Sequence, residues 1–229
     1  LLGAYWVRRN PTLWAPVEPE EGERGWEQLA GLEEELANAA EKQLTVILVV
    51  RGTPQWAQAV PGSQCGPILT EKLPAFASFL HDLVKRYSQP PYNVRYWELG
   101  NEPDIDPGLI AGDSPFGCWG QAGDAYYGGQ AYAEMLKLAY PQIKAADPQA
   151  QVLVGGLLLD CNPLDPPAGR ACEPSNYLEG MLKNGGGAYF DGISFHAYDY
   201  YLGPYQYGNS NWKSAYNTSG PVLVNKVRF

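Results

Sequence analysis

The chain has 229 residues, 45% of them hydrophobic, which is enough for one domain with a sizeable core. Its net charge of -9 disfavours a partner with a dense negative surface, so neither nucleic acid nor an anionic membrane is expected. No stretch nears the roughly 20 consecutive apolar residues that span a bilayer.

Residue 1 opens directly into Leu1-Leu2-Gly3-Ala4-Tyr5-Trp6-Val7 without a basic leader, so any signal peptide is expected to have been removed already. Apolar runs rich in β-branched and aromatic residues recur at Ala4–Val7, Leu44–Val50, Val94–Leu99, Val152–Gly155, Ile193–His196 and Val222–Asn225, and they predict buried parallel strands. Helical periodicity lies between them, at Leu29, Leu32 and Leu36, from Phe76 to Tyr87, from Tyr132 to Ile143, and more briefly near Tyr177–Leu182. This alternation predicts an α/β fold, a parallel sheet covered by helices. No glycine-rich dinucleotide or phosphate fingerprint comes after any of the strands, which weakens a Rossmann reading.

Long polar and aromatic loops come after the strands instead, at Thr53–Thr70, Pro103–Asp124, Leu159–Ser175 and Ala197–Gly220. In a (β/α)8 barrel such loops emerge at the C-terminal face, where active sites are built. The 7 Trp and 16 Tyr suit a neutral ligand with an apolar face and hydroxyl edges, as sugars have, although core packing is the other use of such rings. Cys65, Cys118, Cys161 and Cys172 all fall in the loops and form no CxxC pair; with only two His in the chain, a metal site is not expected. Cys161 and Cys172 bracket a Pro-rich segment and can close a short loop, which leaves Cys65 with Cys118. Such bridges imply an oxidising, extracellular compartment; the alternative is four reduced thiols in a cytosolic enzyme.

The segment Tyr96-Trp97-Glu98-Leu99-Gly100-Asn101-Glu102-Pro103-Asp104 is the most informative in the chain. A strand ends at Gly100, and Pro103 keeps it from continuing, so Glu102 is directed toward the mouth of a barrel. An aromatic, partly dry cavity favours the protonated form of a carboxyl group, as a general acid requires.

This segment resembles the fourth-strand motif of the retaining glycosidases of glycoside hydrolase clan A. Other segments agree in order. Tyr5-Trp6-Val7-Arg8 with Trp14 and Val17-Glu18-Pro19 resembles the second strand and its loop, and Val46 to Arg51 with Thr53-Pro54-Gln55-Trp56 the third. Asp191 to Tyr198 is similar to the sixth strand and Pro221 to Asn225 to the seventh. The nearest branch is the family 39 type, which includes β-xylosidases and α-L-iduronidases. The resemblance implies one barrel domain over residues 1–229, with six strand-helix units recognisable and the first and last strands not among them. It implies a retaining two-carboxylate hydrolysis of O-glycosidic bonds, without a cofactor.

By the same resemblance Glu102 is the acid/base, Asn101 bonds the sugar 2-hydroxyl, Arg8 lies beneath the catalytic carboxylates, and His196 and Tyr198 line the cavity. Arg8 has a second reading, as a buried partner of Glu98. Trp56 and Trp212 are candidates for stacking on sugar rings. One departure stands out: where the family carries its nucleophilic glutamate, this sequence has Lys226. An ammonium cannot trap the glycosyl cation as an ester, and it favours ionised Glu102, depriving the acid of its proton. The alternative reading is a non-catalytic carbohydrate-binding protein.

Overall fold

The computed structural model describes residues 3–158 and 176–196. Five parallel strands form one sheet in chain order: β1 (Trp6–Arg9), β2 (Thr45–Val50), β3 (Tyr96–Leu99), β4 (Gln151–Leu157) and β5 (Gly192–Phe195). Each parallel neighbour requires a crossover, and helices supply it. A short α1 (Trp14–Val17) and α2 (Ala30–Glu41) join β1 to β2, α3 (Leu73–Tyr87) joins β2 to β3, and α4 (Gly129–Ala146) joins β3 to β4. The helix α5 (Asn176–Lys183) precedes β5. The sheet is curled as a half-barrel with the helices on its outer side.

The helices are held by apolar stripes. On α3 the residues Phe76, Phe79, Leu80, Leu83, Val84 and Tyr87 are buried, and on α4 Tyr132, Met135, Leu136, Ala139 and Ile143. Full burial of a Leu or Phe stabilises by roughly 1.5–3 kcal/mol each, so these stripes dominate the packing of helices on sheet. Pro74 sits in the first turn of α3, where its missing N–H costs nothing, and Lys85 and Arg86 lie in the last turn, where cations suit the helix dipole.

Strand parity separates two faces. Val7, Val46, Leu48, Val50, Trp97, Leu99, Val152 and Val154 pack toward the helices, in one cluster with the stripes. The alternate residues, Trp6 and Arg8 on β1, Tyr96 and Glu98 on β3, and Ser194 on β5, share the opposite face. There the Trp6 and Tyr96 rings meet edge to face at 4.9 Å, and above them the polar side chains meet. Contributions from alternate strands to one layer are how a (β/α)8 barrel fills its interior.

The strands and helices differ from the hydrophobic runs in several places. The first strand begins two residues later and takes in Arg8 and Arg9, because its partners on β2 run from Thr45 to Leu48. The fourth continues through Gly155-Gly156 to Leu157, across a register shift against β5 between Val154 and Leu157. The α1 turn carries Pro16, has only four residues, and leaves no periodicity to read. The run Val222–Asn225 lies outside the described residues. No helix among the described residues is long and apolar enough to cross a membrane.

Candidate active site

The site grows from the end of β3. Gly100 and Glu102 have φ of 85° and 53°, so the chain turns sharply through the left-handed region at two of three consecutive positions. Glycine adopts that conformation freely, whereas a glutamate does so at a cost of about 1 kcal/mol or more, to be supplied by its surroundings. The surroundings are visible. The segment 115–120 doubles back along 101–105, with Gly117 N–H donating to the Asn101 carbonyl, Trp119 N–H to that of Pro103 at 2.8 Å and Gly120 N–H to that of Ile105 at 2.8 Å. Gly117 has to be glycine for this approach, since a Cβ there would stand 2.7 Å from the Asn101 nitrogen.

Cys118, within that returning segment, is bonded to Cys65 in the loop after β2, with their Cα atoms 5.2 Å apart. The bond fastens two loops of the rim together, and Gln64 N–H adds a hydrogen bond to the Gly112 carbonyl. With a sequence separation of 53 between the two cysteines, reduction is expected to cost about 2–4 kcal/mol of stability. Thermal unfolding with and without a strong reductant measures it; an unchanged midpoint in protein shown to be reduced would contradict the clamp. Cys161 and Cys172 lie outside the described residues.

Glu102 is 2% exposed. Its Oε1 lies 2.5 Å from Nδ1 of His196, which comes immediately after β5. The two side chains meet across β4, the strand between them, and they can do so because β4 carries glycines there. A Cβ on Gly156 would fall 2.1 Å from His196 Nε2, and one on Gly155 would fall 2.6 Å from the Gly100 carbonyl oxygen. Two glycines inside a strand mark a close approach of neighbouring backbone or ligand, a signal that the sequence carried without naming its purpose.

Arg8 links the rest. Its Nε and Nη2 donate to Glu98 Oε2 and Oε1 at 3.1 and 2.6 Å, and Nη2 also donates to Asn101 Oδ1 at 2.7 Å. The two readings of Arg8, partner of Glu98 and neighbour of the catalytic segment, thus coexist in one side chain. Glu98 is 1% exposed and also accepts from Gly156 N–H at 2.9 Å and Ser194 Oγ at 3.4 Å. Behind the sheet the Tyr132 hydroxyl donates to the Leu99 carbonyl at 2.5 Å and accepts from Gly155 N–H at 3.3 Å, tying α4 to the ends of β3 and β4. Burial pushes the Tyr132 phenol far above its ordinary value, so it stays a donor. Asp104 Oδ1 accepts from Leu158 N–H at 3.1 Å, joining the segment after Glu102 to the end of β4. Sequence reasoning passed over Asp104, Glu98 as part of the site, and the glycine pair.

The structure therefore brings together Arg8, Asn101, Glu102 and His196. The Trp56 ring stands edge-on to Trp14 at 5.3 Å, its Nε1 donates to the Glu18 carbonyl at 3.1 Å, and Lys72 Nζ lies 5.6 Å from the ring centre. They pack the half-buried Trp56 against the core. Tyr198, Trp212 and Lys226 lie outside the described residues. Among the described residues no group of three His, Cys, Asp or Glu side chains is arranged to hold a metal ion.

No family model matches the chain, and no curated protein matches it. Solved structures do. The fold is similar to that of a family 39 glycoside hydrolase from the gut symbiont Bacteroides cellulosilyticus WH2, with a TM-score of 0.57 and 18% identity over 86% of this chain and 33% of that one. It is similar to the catalytic domain of GH30 xylanase C from Talaromyces cellulolyticus, with a TM-score of 0.55 and 13% identity over 84% and 42% of the two chains. It is also similar to endo-glycoceramidase II from Rhodococcus sp. as its lactosyl-enzyme intermediate, with a TM-score of 0.50 and 15% identity over 81% and 54%. The chain thus spans between a third and about half of the length of these proteins. At such identities the likeness establishes the fold: part of a (β/α)8 barrel, of the kind found in retaining glycoside hydrolases.

Proposed function

We propose that residues 1–229 belong to one carbohydrate-active barrel domain of the retaining glycosidase type, with Glu102 as its acid/base and a sugar as its partner. The observation that carries the reading is Glu102 itself, a buried carboxyl group held on left-handed backbone at a strand end and hydrogen-bonded to His196. Backbone strain of this kind collects at functional sites.

The geometry suggests a division of labour. His196 Nδ1 shares a hydrogen bond with Glu102 Oε1 and so holds the carboxyl group in place to pass a proton to the leaving-group oxygen. After the leaving group departs, the same carboxyl group takes a proton from water. Asn101 offers an N–H to the sugar 2-hydroxyl, a contact that strengthens as the oxocarbenium-like transition state forms. The position expected for the nucleophile is that of Lys226. Carbohydrate binding without catalysis is the second reading, and the lysine at that position is what favours it.

A secreted location fits the Cys65–Cys118 disulfide. Chromogenic glycosides test the enzymatic reading. Turnover by the parent that falls about a hundredfold to ten-thousandfold in Glu102→Gln, with sugar binding retained, supports that reading. Sugar binding without turnover in the parent protein moves the conclusion to the binding reading, and neither binding nor turnover sinks both.

A further inference from the structure

Glu98 has no part in the chemistry above, yet it is a carboxylate 1% exposed, on the interior face of β3. Its oxygens are occupied by Arg8 twice, by the Gly156 N–H and by the Ser194 hydroxyl. A carboxylate has about four acceptor positions, so Glu98 has none to spare for a ligand. What it does is hold Arg8. The Arg8 side chain is 32% exposed, long and flexible, and the two-pronged contact with Glu98 fixes its plane.

That plane decides how Asn101 sits. A guanidinium donates and never accepts, so the Asn101 oxygen must face Arg8 and its NH2 group must face away. One of those hydrogens is donated to the Pro115 carbonyl at 3.2 Å. The second has no partner among the described residues and is the one available to a ligand. The bond from Arg8, at 2.7 Å and carrying charge, is the stronger of the two ties on the amide.

We propose that Glu98 is a positioning residue that fixes the donor face of Asn101 through Arg8, so that recognition of a sugar hydroxyl depends on a carboxylate the sugar never touches. The identity of the ligand rests on the glycosidase reading; the coupling from Glu98 to Asn101 does not. Replacement of Glu98 by Gln keeps the shape, removes the charge and weakens the grip on Arg8. Arg8→Lys keeps the charge beside Glu98 and loses the fork that reaches Asn101.

Two measurements on the full chain decide it. The first is the side-chain amide signal of Asn101 in nitrogen-15 NMR, assigned by its loss in Asn101→Ala. In Glu98→Gln this pair is expected to shift and lose order while the backbone amides of α3 and α4 stay in place. An Asn101 amide unmoved in folded Glu98→Gln overturns the proposal. If that variant does not fold, Arg8→Lys is held to the same criterion. The second is hydrolysis of 4-nitrophenyl β-D-xyloside and its 2-deoxy analogue. Glu98→Gln is expected to lower kcat/KM for the first about tenfold and leave the second within about twofold. Equal losses on both substrates mean a merely structural role and also overturn it. Should the parent hydrolyse neither glycoside, the glycosidase reading loses its support and the NMR result alone decides the role of Glu98.

Discussion

Lys226→Glu, in a protein carrying the complete barrel, is expected to raise glycosidase activity by several orders of magnitude. Two effects act in the same direction. The new carboxylate supplies an anion that can form the covalent glycosyl ester, a step that an ammonium cannot perform. If residue 226 stands at the proposed nucleophile position, its negative charge also makes ionisation of Glu102 harder, so that the proposed acid more often holds the proton the leaving group needs. Retaining enzymes hold their two carboxyl groups about 5 to 5.5 Å apart, close enough for both effects. Adding Glu102→Gln is expected to abolish the gain on substrates with poor leaving groups, while activated aryl glycosides still show a burst from the first step. If Lys226→Glu folds and binds sugar but hydrolyses nothing across a broad panel of glycosides, the nucleophile has been assigned to the wrong position.

Gly155→Ala is expected to destabilise the protein by about 3 kcal/mol or more, and Gly156→Ala to spare the fold but lower activity about tenfold or more. The two neighbours differ only in what their added methyl group would strike. At Gly155 the obstacles are the Gly100 carbonyl at 2.6 Å and the Leu99 carbonyl oxygen at 2.8 Å, backbone atoms fixed in the sheet that have nowhere to go. At Gly156 the obstacle is the His196 ring at 2.1 Å, a side chain that can turn away but only by leaving Glu102. Denaturant unfolding of Gly155→Ala and glycoside turnover by Gly156→Ala separate the cases. A Gly155→Ala protein within about 0.5 kcal/mol of the parent would contradict so close an approach of the two strands.

Much of the fold was legible because parallel strands buried on both faces read as apolar runs and helices on a sheet carry one-sided stripes. Leu44 to Val50 and the stripe from Phe76 to Tyr87 are plain instances, and both appear in the structure with boundaries shifted by a residue or a few. The charged ends of strands were harder. Arg8 and Arg9 fall outside the apolar run, and they belong to β1, where Arg8 faces a polar interior and meets Glu98, a residue 90 positions away.

The sequence by itself determined the order of strands and helices, the turn after Gly100 and the types of side chain available at it, because local propensity and periodicity depend only on near neighbours. The tertiary structure alone decided which of those side chains meet. Glu102 and His196 are 94 residues apart and come within hydrogen-bond reach only because the curled sheet sets β3 and β5 on either side of a strand stripped to glycine. That Trp56 meets the Trp14 ring and donates its N–H to the Glu18 carbonyl is likewise a matter of tertiary contact, since both partners lie about 40 residues away in sequence.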